Sequence, residues 1–230
     1  MNTVLNALNH PLFVFGNDHV SSAEILGFIT GVWCVWLTVK ARISNFPVGI
    51  ANSIFFLVLF FSARLYADGS LQIVYIVLGF VGWWQWIYAG PGHTKLVVTA
   101  SSKRTLLILM VLGIAATWVL TLVLGAAHDI APFWDALTTA LSLVAQWLLN
   151  YKKVQNWFYW IIADVIYVPL YFVKHLDLTG IVYVLFLAMA CMGLVQWRRL
   201  VTKDIATPPA LLETASTAVL RSELSSEPLA

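Results

Sequence analysis

Apolar residues in this chain gather into seven long runs separated by short polar stretches. The runs lie at about 23–40, 46–63, 71–89, 105–126, 134–150, 157–173 and 179–197, each close to the roughly 17–25 residues that an α-helix needs to cross a bilayer. The pattern predicts an all-α integral membrane protein with seven transmembrane helices. Residues 1–22 hold no Lys or Arg n-region, so they read as an external or interfacial segment rather than a cleaved signal peptide. Past Trp197 the chain turns to Ala, Ser, Thr and Glu with Pro208 and Pro209, and 200–230 is expected to be a disordered cytoplasmic tail.

Composition supports a bilayer as the solvent. Hydrophobic residues make up 60% of the 230 and charged residues only 10%, with a mean hydropathy of +0.84. A soluble domain is about one-quarter charged because water must solvate its surface. A net charge of +2 offers nothing to nucleic acid. Cys34 and Cys191 both lie inside apolar runs and read as small buried hydrophobes, not as a disulfide or a metal site.

The placement of charge orients the chain. With seven spans, every Lys and Arg except Arg64 and Lys174 falls on one side, while Asp18, Glu24, Asp68, Asp129, Asp135 and Asp177 fall on the other. Cytoplasmic loops carry the excess of Lys and Arg, so the N-terminus is predicted outside and the C-terminus inside.

A second signal comes from sliding the chain against itself. At an offset of about 111 residues, Trp36–Leu37 falls on Trp147–Leu148, Asn45–Phe46 on Asn156–Trp157, Gly69 on Gly180, Gly82 on Gly193, and Gln85–Trp86 on Gln196–Trp197. Residues 23–89 thus form one three-helix repeat and 127–199 another, joined by the loop and linker helix at 90–126. Three spans carry the chain across and the fourth returns it, so the two repeats run parallel. Parallel repeats related by an axis along the membrane normal are a transporter architecture, with substrate bound near mid-membrane between them.

The polar residues inside the spans suggest what is bound. Asp164 lies mid-span, where a carboxylate costs about 2.5–3.5 kcal/mol on insertion scales and marks function by default. Trp157, Trp160, Asp164, Tyr167 and Tyr171 follow at steps of three and four, on one stripe of a helix, with Lys153 and Asn156 just before it. Gln146 and Asn150 share a face of the preceding span. The first repeat adds Asn45, Asn52, Gln72 and Gln85. Amides suit a ligand with hydroxyls and a carboxamide, and a Trp face suits a flat cationic ring. Isolated amides also serve as glue between helices, and an interfacial belt accounts for Trp86, Trp134 and Trp197 as well as a ligand does.

At QWLLNYKKVQNWFYWIIAD (146–164) and GFVGWWQW (79–86) the sequence resembles the PnuC family of bacterial vitamin transporters. The resemblance spans about Ser22 to Arg199. It implies a fold like the duplicated three-helix bundles of SWEET-type sugar transporters, homotrimeric assembly and no cofactor. It also implies facilitated diffusion of nicotinamide riboside, with a separate cytosolic kinase trapping the product. From the matched stretch it carries over Gln146, Asn150, Asn156, Trp157, Trp160 and Asp164 as substrate-binding residues. Tyr167, Asn45, Asn52 and Gln72 are added on geometric grounds. Thiamine, another flat cation with a hydroxyl, is the nearest rival substrate. A membrane-embedded enzyme is the rival from another class, but the chain holds no Walker-type loop, His-Glu-x-x-His or Gly-x-Ser-x-Gly stretch. Reporter fusions or cysteine labelling are expected to place residues 40–45, 90–104, 150–155 and the tail in the cytoplasm. A periplasmic tail would overturn the charge argument.

Overall fold

A computed structural model of the chain describes residues 11–15, 18–62, 66–126, 131–173 and 175–206. Arg64, Asp129, Lys174 and Arg221, which help to orient the chain, lie outside the described residues, as do 1–10 and 207–230. Each apolar run is a helix: α1 (Ser22–Val39), α2 (Asn45–Ser62), α3 (Tyr66–Tyr88), α4 (Lys103–Ala126), α5 (Pro132–Asn150), α6 (Asn156–Val173) and α7 (Asp177–Ala206). Five of them, α1, α3, α4, α6 and α7, are long and apolar enough to cross a membrane, and α2 carries a shorter apolar stretch, Asn45–Phe61. The α5 helix is less apolar because it packs against α3, α4 and α6, so protein surrounds much of it.

Local chemistry explains the element ends. A hairpin of β1 (Pro11–Phe15) and β2 (Asp18–Ser21) leads into α1, within the segment expected only to be interfacial. Ser21 closes it with a capping box: its Oγ accepts from the Glu24 backbone at 3.3 Å, and the Glu24 carboxylate accepts from the Ser21 backbone at 2.8 Å. Pro132 opens α5, where a missing N–H costs nothing. At the far end α7 continues to Ala206, so residues 200–206, assigned by sequence to the tail, are helical. This stretch, LVTKDIA, has no Pro or Gly to stop a helix.

Contacts recur at the sequence offset. The α1–α2 turn places Ala41 at φ 50° and the α5–α6 turn places Lys152 at φ 54°, a left-handed conformation that non-glycine residues seldom adopt. In both turns an Asn amide then closes the loop: Asn45 Nδ2 donates to the Arg42 carbonyl, and Asn156 Nδ2 to the Lys153 carbonyl, each at 2.7 Å. Phe46 meets Trp86 edge-on with ring centres 5.0 Å apart, and Trp157 meets Trp197 edge-on at 5.6 Å. Gly69 leaves room for Phe61, and Gly180 for Phe172. Between the two halves, α1 packs on α7 and α3 on α5. Trp86 Nε1 donates to the Leu149 carbonyl at 3.0 Å, and Trp197 Nε1 to the Thr38 carbonyl at 3.1 Å. Every contact in this set maps onto its counterpart by the same shift.

These packings correct the interfacial reading of Trp86 and Trp197. They are only 2% and 0% exposed and lie 6.0 Å apart, forming the centre of the main core cluster. Trp134, at 49% exposed, does lie on the surface. Cys191 is also exposed rather than buried, and Cys34 is half-buried with its thiol directed at the Asn45 carbonyl, 3.3 Å away.

The loop before α4 is tied beneath this core. Leu96 donates to the Trp86 carbonyl at 3.1 Å, and Thr99 exchanges backbone hydrogen bonds with Lys152 and Val154 at 3.1 and 2.9 Å. Lys152 Nζ donates to the Leu96 carbonyl and Lys153 Nζ to Thr99 Oγ1, each at 2.8 Å. The Lys152 ammonium also lies 4.3 Å from the Trp86 ring centre. Removing an indole donor from the core should expose how the halves are joined. Trp197→Phe removes one of the two hydrogen bonds that the Thr38 carbonyl accepts, the other coming from the Ala41 backbone at 2.8 Å, at a cost of about 0.5–1.5 kcal/mol. Its melting temperature in detergent is expected to fall by several degrees, whereas Trp84→Phe, at a 60% exposed position, should melt with the parent.

Candidate functional site

The α5 and α6 helices are antiparallel neighbours across the turn at 151–155. Asn150 and Asn156 face each other in sequence across that turn. At about 1.5 Å per residue on each strand of the pair, Gln146 then comes level with Trp160, and Ser142 with Asp164. Asp164 is 5% exposed. Among the described residues, no hydrogen bond or ion pair meets its carboxylate. A buried charge is normally paired, so this carboxylate is the site's defining feature.

Hydroxyls gather around it from four helices. Tyr167 of α6 turns its phenol to Thr138 and Ser142 of α5 at hydrogen-bonding range. Tyr75 of α3 turns to the same Ser142. Thr138 donates its own proton to the Trp134 carbonyl at 2.9 Å, which leaves its oxygen free to accept. Tyr183 of α7 packs its ring 4.8 Å from both Tyr167 and Tyr171, and its hydroxyl meets that of Tyr171. Asp164 lies within electrostatic reach of Tyr167 and Tyr183. Sequence reasoning missed Tyr75, Thr138, Ser142 and Tyr183. For Thr138 and Ser142 a signal existed, since they continue the four-residue spacing of Gln146 and Asn150 toward the start of α5. For the single tyrosines there was none.

The other expected residues divide into two groups. Five make contacts within the chain, although Asn156 Oδ1 and Trp157 Nε1 are buried without a hydrogen-bond partner among the described residues. Asn45 and Asn156 close turns, as described above. Asn150, 2% exposed, accepts from Gln146 Nε2 at 3.0 Å and donates to the Leu78 carbonyl at 2.8 Å, bridging α5 to α3 over Gly82. Asn52 donates to Thr30 Oγ1 at 2.6 Å and to the Gly27 carbonyl at 3.2 Å, joining α2 to α1. Trp157 is 2% exposed, and its indole fills the space over Gly193, where an added Cβ would lie 2.5 Å from the ring. The second group, Trp160, Tyr167, Gln146 and Gln72, is half-buried. Trp160 lies one turn before Asp164, Tyr167 one turn after it, and Gln146 keeps its carbonyl oxygen available. Gln72 lies one turn from Tyr75 on α3 and, among the described residues, makes no hydrogen bond.

A cavity of about 850 Å³ opens elsewhere, on the flank of α5 and α6, between Trp134, Val165, Pro169, Leu170 and Leu176. None of its lining residues belongs to the hydroxyl cluster. So apolar a wall suits acyl chains better than a hydroxylated solute.

Residues 21–199 match the family model described as nicotinamide mononucleotide transporter. The chain belongs to the PnuC family. Among curated relatives, the nicotinamide riboside transporter PnuC of Escherichia coli is 24% identical over 221 residues, covering 85% of this chain and 92% of its own length. The PnuC of Neisseria mucosa is 27% identical, covering 84% and 77%. The riboflavin/roseoflavin transporter RibM of Streptomyces davaonensis is 26% identical, covering 84% and 92%. The crystal structure of the vitamin B3 transporter PnuC superimposes with a TM-score of 0.64 at 22% identity, over 79% of this chain and 83% of that one. That likeness establishes the fold. Membership makes this chain an all-α, multi-pass membrane transporter rather than an enzyme, and it directs attention to the groups that a PnuC protein can offer a solute in mid-membrane.

Proposed function

We propose that this chain imports nicotinamide riboside by facilitated diffusion, with a separate cytosolic kinase trapping the product. The observation that carries this reading is the buried Asp164 carboxylate without a partner, one helical turn from Trp160 and level with Ser142. A carboxylate lacking a cation within the protein is complementary to one on the solute, and a pyridinium ring is a flat cation. Trp160 stacks on that ring, Gln146 bonds the carboxamide, and Asp164 balances the charge or holds ribose hydroxyls. The relatives named for nicotinamide riboside support the substrate, and the relative named for riboflavin keeps a second reading open. Riboflavin carries no positive charge for Asp164 to balance, so the carboxylate favours the riboside. Thiamine shares the cationic ring and is distinguished by competition.

The proposed architecture is seven spans in two parallel three-helix repeats of the SWEET type, N-terminus outside and C-terminus in the cytoplasm of a bacterial inner membrane. The recurrence of turn, glycine and indole contacts at one offset supports the duplication, and the charge placement supports the orientation. Homotrimeric assembly belongs to the proposal by resemblance to the family. Asn45, Asn52, Asn150, Asn156 and Trp157 then act behind the site, holding the turns and helices that present Gln146, Trp160, Asp164, Tyr167 and Gln72.

Stacking on an aromatic face is worth about 1–3 kcal/mol. Trp160→Ala and Asp164→Asn are each expected to weaken nicotinamide riboside binding at least about tenfold, or 1.4 kcal/mol, in protein that remains folded and assembled. Titration of purified protein measures this, and parent-like affinity in both variants would move the site elsewhere. For the mechanism, proteoliposomes should show counterflow of labelled riboside without an ion gradient. Accumulation above equilibrium that a protonophore abolishes, with no kinase present, would exclude facilitated diffusion.

A further inference from the structure

The hydroxyl cluster is lopsided with respect to the two halves of the chain. Shifted by the repeat offset, Tyr75 on α3 corresponds to Phe186 on α7, and Ser142 on α5 to Gly31 on α1. Both pairs cross between the halves. Tyr75 reaches Ser142 with its hydroxyl, and Phe186 packs over Gly31, where an added Cβ would lie 3.4 Å from the ring. The same architectural contact is therefore built twice, once with hydroxyls and once from carbon alone. Packing needs only the second version. Tyr167 and Tyr171 likewise correspond to Phe56 and Phe60, which stack on each other at 5.5 Å as their counterparts do. Asp164 corresponds to Ser53.

Polar groups are thus concentrated at one of two equivalent positions, and along α6 they are ordered by kind. Aromatic and amide groups (Trp160 with Gln146) occupy the level nearer the α5–α6 turn, and neutral hydroxyls occupy the level beyond Asp164. From Trp160 to Tyr167 is about 10 Å along the helix, the length of a nucleoside from ring to far hydroxyl. Neutral phenols and a serine can both donate and accept, which suits a vicinal diol. The ring faces would serve a cation equally well as phenylalanine, so the hydroxyls are what the tyrosines add.

We infer that Tyr75, with Ser142, is a specificity-determining pair that reads the sugar hydroxyls of the transported nucleoside, so that the solute lies along α6 with its ring at Trp160 and its ribosyl group at the tyrosines. Tyr75 comes from one half of the chain and Ser142 from the other, so the sugar is held between the halves while the ring rests on α5 and α6 alone. The inference rests on the proposed riboside function and adds to it the residues that separate a nucleoside from other flat cations.

The test compares nicotinamide riboside with its 2′,3′-dideoxy analogue by titration of purified parent protein, Tyr75→Phe, Ser142→Ala and Trp160→Ala. A neutral hydrogen bond contributes about two- to tenfold in affinity. The parent is expected to prefer the riboside by about that factor or more. Tyr75→Phe should lose the preference by weakening the riboside alone, with Ser142→Ala behaving alike, while Trp160→Ala should weaken both ligands and keep their ratio. A merely structural tyrosine would change both affinities together or neither, and either result would overturn the inference. So would equal binding of the two ligands by the parent. A parent protein that binds neither ligand would instead overturn the proposed function, and the inference with it.

Discussion

Two indoles reaching in opposite directions across the centre of the molecule hold its halves in register. Trp86, at the end of α3, donates to the last turn of α5, and Trp197, on α7, donates to the last turn of α1. The carbonyls they reach lie at helix C-termini, where the final four carbonyl groups have no partner within the helix. In a largely apolar surrounding such groups are costly to leave unmet. A turn N–H already meets each of these two carbonyls, Ala41 at Thr38 and Lys152 at Leu149, each at 2.8 Å, and the indole of the other half adds a second hydrogen bond that ties the halves together. The edge-on contacts with Phe46 and Trp157 set the angle of each indole, and Gly82 and Gly193 give those two rings the room to do so.

From that centre the rest of the site follows in order. Asn45 and Asn156 close the turns whose preceding carbonyls the indoles reach, so the helices starting at those turns are fixed in rotation. The rotation of α6 decides which side chains face α5. Trp157 is turned into the core and Trp160 stands beside it at the core's edge. Asp164, one turn further, is carried to the level of Ser142. The loop before α4, fastened to Lys152 and Lys153, covers the same end of the bundle and brings two cations into structural use that a charge count alone would leave in solvent.

Contacts that recur at one sequence offset do not carry the same chemistry in both places. One copy of the cross-half contact is phenylalanine over glycine, which packs closely and asks for nothing in return. The other is tyrosine against serine, which satisfies the same packing and adds hydroxyls beside a carboxylate. Recurrence of a backbone contact leaves the side chains at its two occurrences free to differ.

Much of this was legible in one dimension because the signals were periodic or charged. The length of the apolar runs predicted seven helices, and the structure has a helix at each. Glycines, tryptophans and asparagines repeating at one offset anticipated contacts that recur in pairs. Asp164 stood out because a carboxylate in an apolar run demands a reason. Other features had no one-dimensional trace. A tryptophan at the end of an apolar run looks the same whether it meets lipid headgroups or a partner carbonyl, and only packing showed Trp86 and Trp197 to be the core. An asparagine in a helix reads alike as a ligand group or a turn clasp, and only the structure showed Nδ2 of Asn45 and Asn156 reaching back to the carbonyl three residues earlier. Tyr75 and Tyr183 were single phenols among hydrophobes. Their meaning depends on residues about 70 and 20 positions away in sequence, which only the crossing of α3 and α7 with α5 and α6 brings to one place, because hydrogen bonds and ring contacts act over a few ångströms and sequence separation says nothing about them.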